Sequence, residues 1–245
     1  MADKKKYKRR LTESAQVVEK HFDAEGVSAE HEQADEALSR LQLWIGVLAG
    51  RPELPALNAA ADELDSGLHN LACGLYREAY GNLRLNLELS IAAVKFSVDE
   101  LALRQWLRDK SDIVWSGLIK DVDKETYALN SAFVEAFNED MGGRWSQFRA
   151  MANTLHRELS AHVHGAASTR RASRTLEFKR DIALDWFTKC QNGQFSWQYL
   201  MLARYSDLLR ANRATLGSPF KDMLKAQFMR IGEANGILSD LECIP

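Results

Sequence analysis

Residues 56–98 read ALNAAADELDSGLHNLACGLYREAYGNLRLNLELSIAAVKFSV. Leu64, Leu68, Leu71, Leu75, Ala79, Leu83, Leu87, Ile91 and Val94 recur at steps of three and four. That spacing places them on one stripe of an α-helix and demands an apolar partner. Gly74 and Gly81 lie inside the stretch; they weaken an unbroken helix but permit close helix packing. The same periodicity extends in both directions. Upstream, Ala34, Leu38, Leu41, Trp44, Ile45 and Leu48 mark a helix over 30–49, stopped by Gly50-Arg51-Pro52. A shorter helix is expected over 12–22, with a turn at Asp23–Ser28, and residues 1–11 read as a disordered basic tail.

Downstream, 100–120 reads as two short helices joined near Ser111-Asp112, and 124–139 as a helix ended by Met141-Gly142-Gly143. Trp145, Phe148, Met151, Leu155, Leu159 and Val163 predict a helix over 144–164, closed by Gly165. After a loop at 166–172, helices are expected at 173–190 and 194–213, split by Asn192-Gly193, and a last one at 219–231. Nowhere do apolar/polar alternation and β-branched enrichment coincide. The expected fold is all-α: a basic tail and N-terminal helices over 1–55, a helical bundle over 56–213, and a C-terminal helix and tail over 214–245. Trp106, Trp115, Trp145, Trp186, Trp197 and Phe148 are expected to anchor its core.

Composition agrees. The 245 residues are 46% hydrophobic and 27% charged, enough for a sizeable core, with only 4 prolines and 14 glycines to interrupt helices. The formal net charge is −2, so nucleic-acid contact must come from local basic patches. Two exist: Lys4–Arg10, and Arg170, Arg171, Arg174, Lys179 and Arg180. Cys73, Cys190 and Cys243, odd in number and widely spaced, fit a reducing cytoplasm better than a disulfide framework. No apolar run approaches the ~20 residues of a membrane span, and no secretory signal is recognised. Phosphate-loop, dinucleotide, nucleophile-elbow and paired Glu-x-x-His patterns are missing, so neither metal nor cofactor is expected.

Chemistry gathers in one place. From His156 the chain reads HRELSAHVHG, holding three of its six histidines. On a helix Arg157 and His164, seven apart, are nearly eclipsed, whereas Arg157 and His162 lie about 140° apart. An imidazole can move the proton of a ribose 2′-hydroxyl, and a guanidinium can grip the phosphate in a fork. Arg84 and Glu88, one turn apart, read as a helix-surface ion pair or as support for this motif. His21, His31 and His69 are isolated in sequence and carry no assigned role.

The run Arg157-Glu-Leu-Ser-Ala-His-Val-His-Gly165 resembles the Arg-x(4–6)-His signature of HEPN-type proteins (higher eukaryotes and prokaryotes nucleotide-binding), in a bacterial subgroup whose motif histidine corresponds to His164. Tyr76–Ile91 (YREAYGNLRLNLELSI) resembles the long helix of that family, and Leu103–Leu118 (LRQWLRDKSDIVWSGL) its Trp-Leu segment. The resemblance covers about residues 64–166. It implies a dimeric helical bundle with facing motifs. Many members are metal-independent ribonucleases of bacterial toxin–antitoxin or defence systems. On that reading His164 is the general acid/base, Arg157 holds the scissile phosphate, and His162 assists or substitutes; the basic cluster with Arg170, Arg171 and Arg174, which follows the motif directly, is placed to guide an RNA backbone. The alternative is a non-catalytic scaffold of the same family, binding partner proteins from a defence or antitoxin operon. One departure stands out: Glu158 occupies a position where the family often has Asn, Asp or His, and a carboxylate there repels a phosphate.

Overall fold

The computed structural model describes residues 4–119, 129–167, 169 and 176–212. Among these the chain forms ten helices: α1 (Lys4–Asp23), α2 (Val27–Val47), α3 (Leu54–Ala72), α4 (Tyr76–Phe96), α5 (Glu100–Trp106), α6 (Trp115–Leu118), α7 (Ser131–Phe137), α8 (Glu139–Gly142), α9 (Trp145–Val163) and α10 (Arg180–Ala211). The only β pairing among the described residues is an isolated parallel bridge, Ile119 to Leu129. The fold is all-α.

The long stretch of 56–98 breaks at Gly74, which adopts φ +70°. There Leu75 N–H donates to Asn70 O (2.8 Å) and Gly74 N–H to Leu71 O (3.1 Å). This pair of bonds satisfies the last carbonyls of α3 and turns the chain into α4. Side-chain caps set other starts. Asp99 accepts from Ala102 N–H (2.9 Å) before α5, and Asn130 from Phe133 N–H (2.8 Å) before α7.

Three sequence expectations are corrected. The run Lys4–Arg10 is helical rather than a disordered tail, because lysine and arginine are good helix formers and Val17 and His21 anchor the same helix further on. The break at Asn192-Gly193 is missing, and α10 runs on for 32 residues. An internal glycine costs about 1 kcal/mol relative to alanine. Burying Trp186, Phe187, Trp197 and Leu200 on this helix is worth about 1.5–3 kcal/mol each, so packing decides. The segment expected as one helix over 124–139 shows two short helices, α7 and α8, with 120–128 outside the described residues. The expected helix at 219–231 also lies outside them.

The chain sorts into two compact units, each drawn from three separated segments. The described residues of unit 1 are 4–39, 59–87, 152–167, 169 and 176–194. Its core holds Leu64, Leu68, Tyr76, Tyr80, Leu159 and Trp186. Trp186 Nε1–H donates to Ala79 O (3.0 Å). A β-carbon at Gly67 would stand 3.3 Å from both Asn82 Cβ and Trp186 Cζ2, so glycine there lets α3, α4 and α10 approach closely. A polar seam joins α3 to α4: Asn70 Nδ2 donates to Asn82 Oδ1 (2.9 Å) and Asn82 Nδ2 to Glu63 Oε2 (2.6 Å).

The described residues of unit 2 are 40–58, 88–119, 129–151 and 195–212. Trp44, Leu48, Ile91, Val94, Phe148, Trp197 and Leu200 fill its core. Of the aromatic anchors expected from sequence, Trp145, Trp186, Trp197 and Phe148 are buried, while Trp106 and Trp115 are half-buried. Fully buried Glu53 is held by Arg51 Nε (2.5 Å) and by the Tyr205 hydroxyl (2.5 Å), with the Arg51 guanidinium 5.1 Å from the Tyr205 ring centre. A buried carboxylate without such partners would be strongly destabilising.

Candidate functional site

Residues 156–163 of the HRELSAHVHG run form the last turns of α9, within unit 1, and His164 and Gly165 follow directly. Leu155 and Leu159 face the core and fix the rotation of the helix. The end is built with care. Gly165 adopts φ +69°; Ala166 N–H donates to Ala161 O (3.0 Å) and Gly165 N–H to His162 O (3.4 Å). Thr169 Oγ1 donates to Ala166 O (2.8 Å). Arg77 Nη2 reaches over from α4 to Val163 O (2.7 Å). The carbonyls a helix leaves open at its C-terminus are thereby satisfied.

His164 N–H still donates to Ser160 O (3.0 Å), so the helical path continues through His164. Arg157 and His164 are both exposed. Seven residues on a helix return to within about 20° of the starting direction and climb about 10 Å. The two side chains therefore leave from one side of α9, two turns apart, and neither makes a hydrogen bond or ion pair among the described residues.

His162 is placed differently. Its ring stacks on Tyr80, centroids 3.6 Å apart and planes within 14°. It is half-buried, and its Nδ1 is buried with no hydrogen-bond partner. Burial pulls its pKa below the usual histidine value; Lys189 adds to that, while Asp185 and Glu158 oppose it. The result is a neutral, inward imidazole beside an outward one.

Around it lies a polar chain that sequence reading missed. The Tyr80 hydroxyl donates to Asp185 Oδ2 (2.5 Å), Lys189 Nζ donates to Asp185 Oδ1 (2.6 Å), and the same ammonium pairs with Glu158 Oε2 (3.3 Å). Burial, then the Asp185 bond, raises the Tyr80 hydroxyl far above its ordinary pKa, so it stays a donor. The ammonium of Lys189 thus stands between two carboxylates, those of Asp185 and Glu158. Asp185 and Lys189 are one turn apart, and that spacing was the available signal; nothing local tied them to α9.

Of the basic cluster, Arg170, Arg171 and Arg174 lie outside the described residues. Lys179 pairs with Glu177 (3.4 Å), and Arg180 Nε donates to Glu25 O (3.1 Å). Those two serve the packing of unit 1. His21 and His31, unassigned from sequence, meet: His21 Nε2 and His31 Nδ1 are 3.0 Å apart in the interior. They stand five residues either side of Gly26, so the turn between α1 and α2 brings them together.

Among the described residues, no three His, Cys, Asp or Glu side chains are grouped to hold a metal ion. No described helix is long and apolar enough to cross a membrane. No protein-family model, curated protein or solved structure matches the chain.

Proposed function

We propose that this chain is a HEPN-like, metal-independent ribonuclease of a bacterial defence or toxin–antitoxin system, acting in the cytoplasm as a homodimer. The observation that carries the reading is the exposure of Arg157 and His164 on one side of α9. The His164 imidazole takes the proton of a ribose 2′-hydroxyl, and the freed oxygen attacks the adjacent phosphorus. The P–O5′ bond breaks, leaving a 2′,3′-cyclic phosphate, and the departing 5′-oxygen takes a proton from an imidazolium. Arg157 forks onto the non-bridging oxygens, where charge builds up. A second copy supplies a second Arg157/His164 pair to the same groove. His162, stacked on Tyr80, assists by holding the turn that presents His164.

Cleavage of a labelled RNA in the presence of chelator tests this. Wild-type protein should release fragments ending in cyclic phosphate, and His164→Ala should lower the rate by about 10²–10⁴-fold. A folded His164→Ala protein that cleaves at the wild-type rate refutes the assignment. One observation favours a second reading, the non-catalytic scaffold: no described side chain orients His164, whereas catalytic bases are usually oriented by a third group. Wild-type protein that cleaves no RNA but co-purifies with the product of a neighbouring gene would select the scaffold.

A further inference from the structure

The first turns of α1 form a second charged feature that the α9 site does not use. Residues 4–12 are exposed throughout. They carry Lys4, Lys5, Lys6, Lys8, Arg9 and Arg10 and no acidic residue. At 100° per residue these six cations occupy about 240° of the helix circumference. Tyr7, 57% exposed, and Leu11, 72% exposed, fill the remaining strip.

This arrangement is unfavourable for an isolated helix. Lys4–Lys8, Lys5–Arg9 and Lys6–Arg10 are like-charge neighbours one turn apart, and like charges at that spacing destabilise a helix. The first turn contains no acidic residue, so cations face the positive end of the helix dipole. Arg9 pairs with Glu13 at 3.3 Å, one turn inward. A flexible polyanion laid around the helix would remove all of these repulsions together.

The distribution also selects among polyanions. A helix that lies on a bilayer needs a broad apolar face opposite its cations; here that face is two residues wide. Cations over two thirds of the circumference suit a strand that can bend around them. An exposed aromatic ring amid those cations offers a stacking surface for an unpaired base.

The geometry points to residues 4–12 of α1 as a binding arm for single-stranded RNA, contacting phosphates through its six cations and a base through Tyr7. The choice of RNA over DNA rests on the cleavage reading above; the phosphate and base contacts do not.

The test is fluorescence anisotropy with a labelled 20-nucleotide 2′-O-methyl RNA and the full chain. A 2′-O-methyl strand cannot be cut through its 2′-oxygen, so binding is read whether or not the chain is a nuclease. Each phosphate contact on a single strand contributes about −0.7 to the slope of log affinity against log salt, so six should give a slope of about −4. Affinity should then fall roughly 300-fold between 50 and 200 mM salt. Changing all six cations to glutamine should abolish that slope, and Tyr7→Ala should weaken binding by about tenfold. Far-UV circular dichroism of the free variants reports that the other helices are intact. Unchanged affinity and salt slope in the six-fold variant would overturn the inference. So would cation-dependent binding of phosphatidylserine vesicles by a chain whose RNA affinity is indifferent to these substitutions.

Discussion

The imidazole of His162 lies face to face with the phenol of Tyr80, their centroids 3.6 Å apart, while His164, two residues on, is exposed. The helix thus sorts two chemically identical side chains into different environments. His162→Ala should lower stability by about 1–2 kcal/mol, through the lost stack and the gap left behind. It should reduce RNA cleavage far less than His164→Ala. Urea unfolding and cleavage rates on the same preparations check both; an equal or larger activity loss in His162→Ala would reverse the roles.

Lys189 is predicted to act on substrate affinity through Glu158. Removing the ammonium in Lys189→Ala leaves an exposed carboxylate beside Arg157, and KM for RNA should rise several-fold with kcat little changed. The double variant Glu158→Gln/Lys189→Ala should recover most of the loss, because the repelling charge is gone. No recovery in the double variant would mean that Lys189 supports the packing of α9 on α10 rather than its charge balance.

Gly165 closes α9 at φ +69° with open space where a side chain would stand. Alanine there meets no neighbour and pays only the left-handed backbone cost, about 1–2 kcal/mol. Asparagine, which tolerates that conformation, should cost less. Thermal melts of Gly165→Ala and Gly165→Asn give the comparison; equal stability in all three proteins would show that the turn is not held as described.

Acid should loosen unit 1 through the buried histidine pair. Burial, with the charge of His31 adding to it, lowers His21 to about 4. Burial also lowers His31, against the pull of Asp35, whose Oδ2 stands 3.8 Å from His31 Nε2. The rings of Phe22, Phe178 and Phe187 surround the pair and offer no countercharge. The unfolded chain takes up the His21 proton near pH 6.5, the folded chain only near pH 4. Stability is therefore fullest above pH 6.5 and falls, by about 3 kcal/mol at most, as pH drops toward 4. Urea melts across that window should show the slope in the wild type and a flatter profile in His21→Gln. A wild-type profile without slope would contradict the buried pair.

Much of this was readable in the chain. The recurrence from Leu64 to Val94 foretells α3 and α4, and Gly165 marks the end of α9, because both depend on neighbours in sequence. The continuity of α10 through Gly193 was not readable, since it depends on what surrounds Trp197 and Leu200 rather than on the glycine. The contact between His21 and His31 needed the mirror placement about Gly26 to be noticed. The Tyr80–Asp185–Lys189–Glu158 chain draws on three helices more than seventy residues apart at its extremes, and no local pattern announces it.

Helices α2, α3, α4, α9 and α10 each give residues to both compact units. Neither unit is a continuous stretch of gene, so no truncation can deliver one of them whole.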